Sequence, residues 1–190
     1  MTEPTGEIDT DISDHEAVFL ALVLRLQPVT AYEVSRVYED SPIDRFSTSK
    51  GKIYPLIQRL AKRGLIEKEK VSGDARGTER LRATDRGRAA VRRWTLRIDP
   101  GHFILEDPLR TKMQSFDLLT EPERMEWVLT AKQGLEEQLE RLDAYGNEVE
   151  VPYHDWVHDN AVRSLRARIA WLDRVLARML RAGEGLRHTG

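Results

Sequence analysis

Between Gly51 and Ile66 the chain reads Gly51-Lys52-Ile53-Tyr54-Pro55-Leu56-Ile57-Gln58-Arg59-Leu60-Ala61-Lys62-Arg63-Gly64-Leu65-Ile66, and this stretch constrains everything around it. Ile53, Leu56, Ile57 and Leu60 recur at three- and four-residue spacing, so a helix from about 49 to 63 gathers them on one inward face. Gly64 followed by Leu65 is a glycine stop with a hydrophobic latch, which turns the chain directly into a strand. Pro55 falls past the first turn, where it removes one helical hydrogen bond and favours a bend. Opposite the apolar stripe stand Thr48, Gly51, Pro55, Gln58 and Lys62, flanked by Tyr54 and Arg59. Small, hydrogen-bonding and cationic groups on one outer face suit a helix that reads a polyanion. The plainer alternative is a solvated face.

The charge distribution favours the first reading. Residues 45–98 hold 16 Lys and Arg against 5 Asp and Glu, an excess of +11. Residues 1–44 hold 2 against 10, and residues 99–190 hold 12 against 17, so the three segments sum to the net −2 of the whole chain. A cationic module between acidic flanks points to double-stranded DNA as partner. Zero cysteines excludes disulfides, thiolate metal sites and cysteine nucleophiles, and fits a reducing cytoplasm. The longest apolar run, Ala17 to Leu24, is eight residues, so no membrane partner is expected. The acidic stretch before Ser13 is unlike a secretory signal and reads as a disordered tail.

Ser13-Asp14-His15-Glu16 forms a capping box and opens a helix over about 14–26 that is apolar on nearly every face. Such a helix needs cover on several sides. Gln27-Pro28-Val29 breaks it, and a second box, Thr30-Ala31-Tyr32-Glu33, opens a helix to about Glu39 that Ser41-Pro42 ends. Leu65–Val71 and Thr78–Ala83 read as two strands around the loop from Ser72 to Gly77, and Thr84 caps a helix over about 85–98. Three helices, a hairpin and a helix make a winged helix-turn-helix. After a Pro- and Gly-marked connector from Asp99 to Pro108, Thr120-Glu121-Pro122-Glu123 opens a helix to about Tyr145. Its stripe is Met125, Val128, Leu129, Leu135, Leu139 and Leu142. A last helix, about 153–181, carries Leu165, Ile169, Leu172, Leu176 and Met179 at alternating four-three spacing, a seam that a partner helix could bury in a dimer.

The expected fold is therefore mainly α: a tail at 1–12, an N-terminal winged helix-turn-helix with a two-stranded wing at 13–98, a C-terminal helical dimerisation domain at 99–182, and a tail at 183–190. Leu20-Ala21-Leu22, Thr30-Ala31-Tyr32-Glu33-Val34, the 51–60 core, Gly64-Leu65-Ile66 and Thr84-Asp85-Arg86-Gly87-Arg88 resemble the PadR family of transcriptional regulators. Trp94, Asp107-Pro108-Leu109, Phe116 and Ala170-Trp171-Leu172 resemble the branch whose helical domain is like virulence gene activator alpha. Two departures stand in the pattern: Glu79-Arg80-Leu81 replaces the usual Lys-Tyr-Tyr-like run of the wing, and Thr30-Ala31 replaces the usual His-Gly. The resemblance implies a homodimeric DNA-binding regulator, a repressor before an activator, and favours a phosphate contact for Tyr54. It also implies a cleft for a small aromatic effector, for which Trp94 and Trp171 are the candidates.

The residues assign the DNA contacts more finely. Gln58 suits an adenine edge, and Arg59 a guanine or phosphate. Ser47, Thr48 and Ser49, with Lys50, Lys52 and Lys62, suit phosphate oxygens at the helix start and along its outer face. Arg76 at the wing tip suits a narrow minor groove, and Lys68, Lys70, Arg80 and Arg82 suit phosphates. Tyr32 either donates to a phosphate or packs against the third helix. Two further patterns are set aside. His154 and His158 lack both the Glu and the third ligand of a zinc peptidase and read as exposed helix residues. Ser47-Thr48-Ser49-Lys50 lacks the partner motifs of an acyl enzyme. Two other classes stay open: a winged helix that binds protein rather than DNA, and a small helical enzyme, against which stands the lack of any coupled nucleophile and base.

Overall fold

The computed structural model describes residues 11–40, 50–70, 78–146 and 152–187. It divides into two compact units, the first ending at Ile104 and the second beginning at Leu105.

The first unit contains α1 (Asp14–Leu26), β1 (Val29–Thr30), α2 (Ala31–Asp40), α3 (Lys50–Lys62), β2 (Ile66–Lys70), β3 (Glu79–Ala83), α4 (Asp85–Leu96) and a 3-10 turn at Pro100–Phe103. Local chemistry starts these helices as the sequence predicts. The Ser13 and Thr30 hydroxyls accept the Glu16 and Glu33 amides, and each glutamate reaches back to the backbone N–H of its cap. The Thr84 hydroxyl accepts the Gly87 amide at 3.0 Å.

The α3 stop is a full Schellman motif. Gly64 stands at φ +66°, its N–H donates to Ala61, and the Leu65 N–H donates to Leu60. Gly87 answers a different need, because α4 runs so close to the start of β2 that a Cβ there would lie 2.2 Å from the Leu65 carbonyl oxygen.

Phe19, Leu20 and Val23 of α1, Val34 of α2, Leu56 and Leu60 of α3, Leu65, and Leu81 of β3 are fully or nearly fully buried in one core. That core includes Ile12, at 3% exposure, so the expected tail ends before residue 12: an isoleucine beside α1 gains more by burial than by solvation. The remainder of that tail, residues 1–10, lies outside the described residues, as does the loop at 71–77.

The wing gains a strand that sequence reading missed. The sheet order is β1-β3-β2, all antiparallel, with Leu81 opposite Val29 on one side and Lys68 on the other. The Gln27 side-chain oxygen then accepts the Ala83 N–H at 2.8 Å and prolongs the ladder where Pro28 interrupts the backbone. Two residues after a helix breaker carry no periodicity, so β1 has no sequence signal.

The second unit contains α5 (Pro108–Met113), a 3-10 turn at Phe116–Leu118, α6 (Glu121–Gly146) and α7 (His154–Arg187). The ion pair from Lys132 to Asp173 (2.7 Å) and the approach of His158 to Asp143 (3.7 Å) show α6 and α7 running antiparallel. The connector expected to reach Pro108 instead ends in a helix start. Asp107 accepts the Leu109 amide at 2.9 Å, and both its oxygens take Arg168 of α7 at 3.0 Å.

One stripe is corrected here. Leu129, expected inward, is 48% exposed. The α7 seam meets α6 of its own chain: Leu172 is fully buried with Val128 and Leu135, and Leu165, Ile169, Leu176 and Met179 pack on that cluster. A four-three repeat specifies a helical partner but not whether it belongs to the same chain.

Candidate nucleic-acid interface

Helix α3 presents the face its sequence predicts. Ile53, Leu56, Ile57 and Leu60 are buried, while Tyr54, Pro55, Gln58 and Lys62 are exposed, Tyr54 at 59%. Pro55 lies inside this helix on the exposed side. The wing strands border the face. Lys68 Nζ of β2 lies 3.5 Å from the Gln58 carbonyl oxygen and 3.1 Å from a Glu79 carboxylate oxygen, so Gln58 sits where helix and ribbon meet. Arg80 is exposed on β3, opposite Glu69 on one side and Thr30 on the other. Lys70 is exposed as well, whereas Arg82 pairs with Glu69 at 3.7 Å. Near Arg80, the backbone N–H of Thr30 and then its hydroxyl hold the Glu33 carboxyl below the usual carboxylate range, outweighing its slight burial, with Arg80 adding to the effect.

Not every expected contact falls on this face. Lys50 and Lys52 belong to the first turn of α3, and Ser47, Thr48, Ser49 and Arg76 lie outside the described residues. Arg59, expected to read guanine or phosphate, turns instead toward α1, where its Nε stands 3.7 Å from Glu16 Oε1. Arg63, one turn later, donates to Glu16 Oε2 at 3.2 Å. The cause is electrostatic: Glu16 is a buried carboxylate at 9% exposure, and the flank of α3 beside it supplies two guanidinium groups. The two arginines four apart, and a carboxylate immediately before the apolar run of α1, were the sequence traces of this contact. Tyr32 is 63% exposed, so packing against α3 is not its role.

Trp94 borders a groove of about 470 Å³ formed within the first unit by Asp11, Ile12, Ala90, Arg93, Leu96 and Arg97. Its indole N–H donates to Asp14 at 2.7 Å. Trp171 packs half-buried on the α6–α7 cluster. Neither histidine of the α7 pair is simply exposed. His154 and His158 are half-buried with ring centroids 5.7 Å apart, because Gly146 lets α7 approach the end of α6 closely. Among the described residues no cluster of three or more acidic or histidine side chains could hold a metal, and no helix is long and apolar enough to cross a membrane.

Residues 19–93 match the transcriptional regulator PadR-like family, a group of regulators rather than enzymes. Solved structures extend the likeness in fold to most of the chain. The Bacillus subtilis PadR structure in complex with operator DNA is 19% identical with a TM-score of 0.74, covering 87% of this chain and 98% of that one. The PadR-like regulator BC1756 from Bacillus cereus is 19% identical with a TM-score of 0.71, covering 88% and 99%. The Bacillus subtilis PadR structure in complex with p-coumaric acid is 18% identical with a TM-score of 0.68, covering 88% and 98%. No curated protein matches the chain. The likeness establishes a winged helix-turn-helix followed by a helical unit.

Proposed function

We propose that this chain, whose residues 19–93 form a PadR-like domain, is a homodimeric transcriptional repressor that binds a pseudo-palindromic operator. The observation that carries the reading is the outward face of α3: Tyr54, Gln58 and Lys62 stand exposed opposite a buried stripe, with Lys68 of the wing beside Gln58. Gln58 can present its amide to an adenine edge in the major groove. Tyr54, Lys62 and Arg80 reach phosphates, and Lys50, Lys52 and the 47–49 segment lead into the same helix end. Arg76 is assigned to the minor groove. One such helix makes too few contacts for an operator, and a twofold dimer places two of them about one helical turn apart.

The dimer surface we propose lies beyond the four-three seam, which packs on α6 with Leu172 buried and Leu165, Ile169, Leu176 and Met179 half-buried. Exposed apolar side chains elsewhere need a cover, among them Leu118, Trp156, Val157 and Leu180 of the second unit. Occupancy of the operator then excludes polymerase. A small aromatic effector is assigned to the groove bordered by Trp94, where Ile12, Ala90 and Leu96 offer apolar contact and Arg93 a cation suited to a ring bearing a carboxylate, Arg97 being paired with Asp11 and Asp99.

Footprinting on the DNA upstream of the chain's own gene, with a sizing column run alongside, tests the proposal. Two protected half-sites about one turn apart and an elution volume of a dimer are expected. A protein that ignores duplexes at low salt ends the reading in favour of a winged protein-interaction module.

A further inference from the structure

Glu16 does more than its place in a capping box requires. Among the described residues stand two other Thr–Glu boxes of the same kind, Thr30 with Glu33 and Thr120 with Glu123, and both are exposed. Glu16 alone of the three is buried, and it accepts from Ser13 N–H at 3.1 Å while Arg59 of α3 and Arg63 just past its end converge on it. The backbone carbonyl of Asp11 takes a further hydrogen bond from Arg63, so the start of α1 grips the last two turns of α3 from one side. Arg59 on the flank of α3 and Arg63 immediately after the helix lie four residues apart, next to the face that carries Gln58 and Lys62. Rotation of α3 about its own axis would carry both guanidiniums off Glu16 and leave a buried carboxylate unpaired, which the fold resists strongly.

We propose that Glu16 is a positioning residue of the DNA interface: it fixes the rotation of α3 and keeps Arg59 from the phosphates. Operator choice is thereby left to the contacts around Gln58. The inference rests on the DNA-binding reading above. Arg59 is 57% exposed even while it faces Glu16, and once released it would add affinity for any sequence and discrimination for none.

The test uses the full-length chain and two probes: a duplex selected by the wild-type protein from a randomised pool, and the same duplex with its bases scrambled. Binding to each is measured across a salt series. In Glu16→Gln, Arg59 is released, so affinity for the scrambled duplex rises and the slope of log affinity against log salt steepens by about one. The ratio of selected to scrambled affinity falls about tenfold, the size of one lost well-oriented base contact. Adding Arg59→Ala to Glu16→Gln returns the slope to the wild-type value.

Arg59→Ala alone serves if Glu16→Gln fails to fold, and it leaves the wild-type slope unchanged. A parallel loss on both probes at constant slope in Glu16→Gln would make Glu16 merely structural and overturn the proposal. So would a slope that shallows by about one in Arg59→Ala, because Arg59 would then already hold a phosphate. A wild-type protein that selects no sequence and binds no duplex is a different failure, that of the DNA reading itself, and the proposal falls with it.

Discussion

Replacing Gly87 by alanine probes the contact that seats α4 on the end of α3. The new Cβ would lie 2.2 Å from the Leu65 carbonyl oxygen and 3.1 Å from its carbon, where ordinary contact begins at 3.4 Å. α4 must therefore retreat by about 1.2 Å, the difference of 3.4 and 2.2 Å, or the start of β2 must yield. Retreat also strains the Thr84 N–H bond to the same carbonyl, now 3.1 Å long, and opens space beside Leu20.

Overpacking of this kind costs about 1–3 kcal/mol, and a weakened backbone hydrogen bond about 1 kcal/mol more. Alanine's better helix propensity returns at most about 1 kcal/mol, leaving a net loss of about 2 kcal/mol. For a unit of this size that corresponds to a fall in Tm of about 8–16 °C. Gly134→Ala in α6 is the matched control, because nothing lies within 4 Å of its Cβ and it should gain about 0.5–1 kcal/mol. Differential scanning calorimetry on both variants decides the matter. An unchanged or raised transition in Gly87→Ala would refute the close approach of α4 to Leu65, and with it the account of how α3 is stopped and seated.

Thr30→Ala removes the cap of α2 and should cost about 1 kcal/mol by urea titration at neutral pH. The Glu33 carboxyl in that cap titrates below its ordinary value when folded, so its contribution is complete above the unfolded value of about 4.3 and is lost as pH falls through the lower folded value. The Thr30→Ala deficit should accordingly shrink on acidification below about pH 4; a constant deficit would deny Glu33 its role. Leu172→Ala empties a fully buried site between α6 and α7 and should cost about 2–5 kcal/mol, read as an early calorimetric transition of the second unit with the first unit's transition unmoved. Lys62→Glu should weaken duplex binding far more than Arg141→Glu on α6, and equal losses in a salt-titrated assay would remove α3 from the interface. A fragment ending at Ile104 should elute as a monomer, and a dimeric fragment would place the subunit contact in the first unit.

Short-range chemistry was legible from the residues alone. Each capping box, the Gly64 stop, the inward stripe of α3 and the cationic span from 45 to 98 depend only on side chains within a few positions of one another, and the structure's helices begin and end on them. The choice of partner across the chain was not legible, since hydrophobic and ionic contacts carry no address in one-dimensional spacing. The α7 seam called for a helix and found α6 at home; Arg59 called for an anion and found Glu16, forty-three positions earlier. Val29 and Thr30 became a strand only because β3 offered a free edge beside them. Sequence thus determined which elements form and what charge they carry, while folding decided which faces remain to meet anything else, because burial and pairing are settled by neighbours that only three dimensions bring together.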